Sequence, residues 1–208
     1  MCATRAKTGG PIRVGILGQG RSGLSIHARW FEQSPRKYKI VAVADLLADR
    51  RRRAEEEFGC DSYRSVDNLL ARDDLDLVVN SLPSHLHPPV TIDALKAGHN
   101  VVTEKPAAWN VAQLDKMIRA ARNARRILAP FQQSRYRALF RKTLDVIGSG
   151  VLGRIVQVRI TANGFARRWD WQTLQEHRGG NLLNTGPHFV DWAVCLQGFK
   201  KPDEIFCA

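Results

Sequence analysis

The chain has 208 residues, 44% of them hydrophobic and 25% charged, with a formal net charge of +12. At ~150 residues per domain this allows one full domain and a remainder, with enough apolar material for a core, which excludes a disordered chain. No stretch reaches the ~18 apolar residues of a membrane span, and the first ten residues lack the apolar run of a secretory leader.

In chain order, Ile12–Leu17 reads as a buried strand, residues 22–33 as an amphipathic helix and 40–44 as a second strand. Ala48–Phe58 reads as a helix stopped by Gly59. A short extended piece near Tyr63, a small helix over 66–71 and a strand over 75–80 follow. Next come a helix over 89–97 stopped by Gly98, a strand over 101–103, a helix over Val111–Ala124 and a strand over 127–129. Strands alternating with helices in this way predict βαβ units and a parallel sheet, and the strands read as unbroken apolar runs because such sheets are covered on both faces.

After Pro130 the pattern changes. Residues 135–147 read as a helix. Residues 155–161 read as a strand with Val156, Val158 and Ile160 alternating against Gln157, Arg159 and Thr161, which predicts a sheet with one open face. An aromatic loop at Trp169-Asp170-Trp171, a helix over Gly186–Leu196 and the start of another strand at 202–208 complete the chain. The domain boundaries expected are 1–130 and 131–208, a doubly wound α/β Rossmann domain followed by a partial α/β domain.

Gly18-Gln19-Gly20-Arg21-Ser22-Gly23 is a GxGxxG placed between the first strand and the first helix. The first glycine permits the turn, the second lets a pyrophosphate approach the backbone, and the third lets helix and strand pack closely. The free amides and dipole of the helix start favour the phosphates. Asp45 ends the second strand, 22 residues beyond Gly23, where a carboxylate accepts hydrogen bonds from ribose hydroxyls and repels a 2′-phosphate. NAD is therefore the expected cofactor, with NADP as the alternative. The run Arg50-Arg51-Arg52-Arg53 reads as a solvated helix face, and no nucleic-acid motif accompanies it; it is also what keeps NADP open, since Arg can neutralise a 2′-phosphate, although these residues lie five or more positions past Asp45 on the next helix. Four cysteines without CxxC spacing suit reduced thiols in a cytoplasmic protein, and His85-Leu86-His87 lacks the further ligands of a metal site.

Lys105 precedes Pro106 at the carboxyl end of the fifth strand, where ligands bind in parallel sheets and an ammonium can stabilise a developing alkoxide. The bland alternative is a solvated lysine. His188 follows Pro187 in the first turn of a helix, where the dipole favours the neutral, proton-accepting ring. Its alternative is a packing role. Asp191 falls one turn on, where it is expected to orient that ring. The two tryptophans either line a pocket or cover the sheet.

The segment Glu104-Lys105-Pro106 after a GxGxxG domain resembles the Gfo/Idh/MocA oxidoreductases. The loop Pro83-Ser84-His85-Leu86-His87 and the block from Gly179-Gly180 through Asn184 to His188 are similar to that family's as well. The resemblance implies hydride transfer between NAD(P) and a hydroxyl or carbonyl carbon of a sugar, inositol or related polyol. It implies Lys105 and His188 as catalytic residues, and Leu82, Pro83, His87 and Glu104 with Lys105 near the cofactor. Many members carry Asp where this chain has Asn184. Asn cannot take up a proton, although it can hydrogen-bond a substrate hydroxyl. Members are usually longer and associate through the second-domain sheet, so a truncated second domain, and a homo-oligomer if its sheet is complete, are expected. A non-catalytic dinucleotide-binding or regulatory protein is the alternative function.

Overall fold

The computed structural model describes residues 9–164, 167 and 169–206. They form two compact units, divided between Phe131 and Gln132, and each is described by itself.

The first unit is built on six parallel strands: β1 (Ile12–Leu17), β2 (Tyr38–Ala44), β3 (Asp61–Tyr63), β4 (Leu77–Asn80), β5 (Asn100–Thr103) and β6 (Leu128–Pro130). Their order is β3-β2-β1-β4-β5-β6. A strand turns successive side chains to opposite faces. Ile16, Val43 and Val79 therefore enter one apolar cluster, while their neighbours Leu17, Ala44 and Val78 enter another. The first cluster takes Phe31 of α1 (Arg29–Glu32) and Ala54 of α2 (Ala48–Phe58). The second takes Leu69 and Leu70 of α3 (Val66–Leu70), Ala94 and Leu95 of α4 (His87–Lys96) and Ala121 of α5 (Val111–Ala124). Both faces are thus buried, which is why the strands carry no polar alternation. Each fully buried Val, Leu or Ile contributes roughly 1.5–3 kcal/mol relative to exposure.

The helix ends follow local chemistry. Gly59 ends α2 at φ +58°, and the Asn110 side chain accepts the Gln113 amide at 2.9 Å to start α5. The helix expected over 22–33 begins instead as a π-helix, Arg21–Ala28, and becomes α-helical only in α1. The Arg29 amide, for example, reaches back five residues to the Leu24 carbonyl.

In the second unit, α6 (Ala138–Gly148), α7 (Asn181–Asn184) and α8 (Gly186–Leu196) are present. Phe140 of α6 stacks on Trp192 of α8 at 4.8 Å, and the Trp192 indole donates to the Ser134 carbonyl at 3.2 Å. The strands expected over 155–161 and 202–208 are corrected: no described residue of this unit is in a strand, and Cys207 and Ala208 lie outside the described residues. Alternation supplies a preference for a two-faced surface, but a strand also needs a neighbour for its backbone donors and acceptors. Val156 accordingly stands 82% exposed.

Candidate active site

The loop after β1 lies at the centre of the sheet, where strand order reverses between β1 and β4. In open α/β sheets the crevice beyond the carboxyl ends at such a reversal is the ligand site. Gly18 holds φ +86°, and its amide donates to the Ala44 carbonyl at 2.7 Å. A Cβ on Gly23 would stand 1.8 Å from the Gly18 carbonyl oxygen, so only glycine lets the helix start fold back under the loop. Gly20 has no such crowding: its nearest neighbour would be the Arg50 guanidinium at 3.4 Å. Gly20, exposed Arg21 and half-buried Ser22 open the π-helix, whose first amides lack intrahelical acceptors. The Gln19 side chain is 1% exposed, and neither its amide nitrogen nor its oxygen has a hydrogen-bond partner among the described residues. Buried amides are seldom left so, and this one suits a polar ligand on the loop.

Asp45 follows β2 and is buried. One carboxylate oxygen accepts the Gln19 backbone amide at 2.7 Å, and the other accepts the Leu47 backbone amide at 2.9 Å. It therefore braces the glycine loop from the end of the neighbouring strand. Beside it runs a cleft of about 610 Å³, lined by Asp45, Leu46, Arg64, Leu82, Leu86 and Val90 among others. Its volume and mostly apolar walls fit an adenosine-sized group.

The loop after β4 is pinned by a fully buried asparagine. Asn80 Nδ2 donates to the His87 carbonyl at 3.2 Å and to Thr91 Oγ1 at 3.1 Å, and the Leu82 amide donates to Asn80 Oδ1 at 3.3 Å. Leu82 and Pro83 are half-buried on this loop. Asn80→Ala would strand these partners and is expected to cost about 1–3 kcal/mol. A lower urea midpoint and faster hydrogen exchange at the Leu82 amide are the measurements. The His87 ring is 2% exposed, with Nδ1 at 2.7 Å from the Pro106 carbonyl and Nε2 at 2.8 Å from the Leu82 carbonyl. It ties the β4 and β5 loops together. Burial pushes its pKa down, more than the two carbonyls raise it.

Glu104 is also turned inward. Its carboxylate lies 3.0 Å from His27 Nε2, in the π-helix, and accepts the Lys105 amide at 3.2 Å. His27 in turn packs on Phe131 at 4.5 Å. Burial pushes the Glu104 carboxyl up, but His27 and Lys105 outweigh it and the net lies below the usual carboxylate value. Lys105 is half-buried just past β5, and its bond to Pro106 is cis.

Asn184 and His188 belong to the second unit, both half-buried. They do not share a helix: Asn184 closes α7, and His188 sits in the first turn of α8 with its amide on the Thr185 carbonyl at 3.2 Å. The orienting role expected of Asp191 is corrected, because the Arg135 guanidinium grips its carboxylate at 2.6 and 2.8 Å. Trp169 is 93% exposed, and no sheet lies in this unit's described residues for it to cover.

Residues 12–131 match the family model for the oxidoreductase family with an NAD-binding Rossmann fold, and residues 140–208 match that of the GFO/IDH/MocA C-terminal domain. The chain belongs to the Gfo/Idh/MocA oxidoreductases. It is 29% identical over 197 residues to myo-inositol 2-dehydrogenase of Thermotoga maritima, covering 94% of this chain and 57% of that one. Among solved structures it resembles the WlbA dehydrogenase of Bordetella pertussis in complex with NADH and UDP-GlcNAcA, with 26% identity, TM-score 0.76, and 91% and 56% of the two chains covered. It also resembles a 3-ketoreductase of Actinomadura kijaniata in complex with NADP, with 31% identity, TM-score 0.64, and 69% and 45% covered. The chain spans about half the length of the curated relatives it matches.

Two functional features of this Gfo/Idh/MocA chain escaped sequence reasoning. His27 is one polar residue on the buried stripe of an otherwise apolar helix face, which was the available signal for a buried partner. The contacts of Arg51 and Arg53 with the carbonyls of Asp45 and Gln19 are the second, since a charge run at a helix start reads first as solvated.

Proposed function

We propose that the chain is an NAD(P)-dependent oxidoreductase that moves hydride between nicotinamide and a hydroxyl or carbonyl carbon of a sugar, inositol or related polyol. The observation that carries this reading is the glycine loop, closed on itself at Gly23 and opening at Gly20 onto the sheet's reversal point, with Lys105 at the end of β5. The nicotinamide, when bound, supplies the hydride donor or acceptor. The backbone amides at the start of the π-helix, residues 20–23, would hold the pyrophosphate. The Lys105 ammonium donates to the substrate oxygen and stabilises its negative charge. The family resemblance assigns His188 as the acceptor of a hydroxyl proton in the oxidative direction and leaves Asn184 able to hydrogen-bond a substrate hydroxyl. Free Cys60 and Cys195 suit a cytoplasmic setting.

Titration of the folded protein with NAD and NADP, followed by a hydride-transfer assay over a panel of polyols, sugars and nucleotide sugars, tests the reading. Lys105→Ala is expected to lower kcat/KM about 10²–10³-fold while dinucleotide binding changes little, the scale of removing one oxyanion donor. Full activity in that variant would remove Lys105 from the chemistry. Asn184 in place of the family's frequent Asp favours a second reading, a dinucleotide-binding protein without turnover. Tight cofactor binding with no hydride transfer to any member of the panel would support it.

A further inference from the structure

The helix that opens at the glycine loop carries a histidine into the core. Gly23, His27 and Ala28 are the buried residues of the π-helix, so the face that packs Gly23 under the loop also turns the His27 ring inward. There it meets Glu104, which lies 77 residues further along the chain, just past β5. The two side chains are 5% and 6% exposed. Phe131 closes the other side of the ring at 4.5 Å.

The Glu104 carboxylate is a bridge. One oxygen lies 3.0 Å from His27 Nε2, and the other accepts the Lys105 backbone amide at 3.2 Å. Its pKa lies below the usual carboxylate value, so the group is ionised at neutral pH and can only accept. Nε2 is therefore the donor. The end of β5 is anchored separately: the Glu104 amide donates to the Asn80 carbonyl at 2.9 Å, and the Phe131 amide donates to the Thr103 carbonyl at 2.8 Å. With the strand end fixed, the direction of the carboxylate decides whether the Lys105 amide is held. A buried carboxylate deprived of its donor takes up a proton or turns to another one, because an uncompensated interior charge is costly. Either change weakens its grip on Lys105.

We propose that His27 is a positioning residue: through Glu104 it holds Lys105 in place for the substrate oxygen, and so ties the helix of the glycine loop to the reacting end of β5. The catalytic part of this role rests on the reading of Lys105 given under Proposed function; the hold on its backbone does not.

His27→Ala, His27→Gln and His99→Ala, each in the full chain and checked for fold by circular dichroism, separate positioning from packing. His99 is the matched loss: its ring is also 4% exposed, with Nε2 at 2.8 Å from the Leu70 carbonyl. Two quantities are read. One is hydrogen exchange at the Lys105 amide by NMR, relative to amides within β1 and β4. The other is steady-state turnover of myo-inositol with NAD, alongside the Kd for NAD. His27→Ala should quicken the relative exchange at Lys105 about tenfold or more. It should lower kcat about 10–100-fold, the scale of misplacing a catalytic group by an ångström, and leave KM and the NAD Kd within about threefold. His27→Gln, whose side-chain amide donates in place of Nε2, should recover most of both losses. His99→Ala should lose stability while keeping kcat and the relative exchange within about twofold. In a Lys105→Ala background, His27→Ala should change the residual kcat less than about twofold, since its effect travels through Lys105. Unchanged relative exchange at Lys105 in folded His27→Ala would overturn the proposal. So would a kcat loss that persists undiminished without the Lys105 side chain, or that appears equally in His99→Ala. If wild type moves no hydride from myo-inositol to NAD, that result counts against the polyol reading alone, and exchange at Lys105 decides whether His27 holds it.

Discussion

Gly23→Ala is expected to abolish dinucleotide binding and to lower Tm by about 10 °C. The added methyl would stand 1.8 Å from the Gly18 carbonyl oxygen and 2.7 Å from Ser81 Oγ. The first of these is backbone, and the Gly18 amide is itself tied to Ala44. Relief therefore has to come from moving the helix start away from β1, which opens the packing of Ala28 and Phe31. Overpacking of this kind costs typically 1–3 kcal/mol and sometimes more, and each kcal/mol lowers Tm by roughly 2–4 °C at this size. Gly20→Ala is the matched control. Its methyl would meet only the end of the flexible Arg50 side chain at 3.4 Å, so the fold should keep its Tm within about 2 °C, while a pyrophosphate loses its close approach. Thermal denaturation of both variants, each followed by a dinucleotide titration, separates packing from binding. A Gly23→Ala protein as stable as wild type would show that the loop does not close as described.

The parallel sheet was legible because doubly buried strands leave a composition trace: Ile16 and Leu17, or Val78 and Val79, are apolar although they face opposite ways. The helix stops at Gly59 and Gly98 were legible because positive φ selects glycine. The glycine loop was legible for a related reason, since Gly18 holds a positive φ and Gly23 stands against the Gly18 carbonyl. What resisted reading depends on partners distant in sequence. Residues 155–161 have the alternation of a strand, but pairing belongs to two segments and cannot be read from one. The bond between His27 and Glu104 spans 77 positions, and each residue alone looks like something else, one a helix-face histidine and the other the acid of a cofactor motif. Asp45 was read as a ribose acceptor from its place in the chain. Only coordinates revealed that two backbone amides and a guanidinium already face it.

Glu104→Ala is expected to cost about 1–3 kcal/mol at pH 7, the scale of leaving buried polar groups without their hydrogen-bond partner. His27 Nε2, almost fully buried, would lose its partner, and the Lys105 amide would lose its acceptor. The effect carries a pH signature. The folded-state pKa of Glu104 lies below its ordinary value near 4.5, so the ionised carboxylate stabilises the fold above that value, and this contribution fades as pH falls through the lower folded-state pKa. His87 acts in the same direction from a higher starting point. Its folded-state pKa is held below 6.5 by burial, so the unfolded chain takes up a proton first and stability declines as pH drops beneath that value. The gap in unfolding free energy between wild type and Glu104→Ala, from urea titrations at pH 7, 5 and 3.5, should therefore stay wide to about pH 5 and narrow below it. A gap that stays constant down to pH 3.5 would mean that the carboxylate stabilises by shape alone. Because Glu104 holds the Lys105 amide, the same variant should lose turnover at pH 7 even where it remains folded. Glu104→Gln, which keeps an acceptor for that amide and for His27, should recover part of both losses.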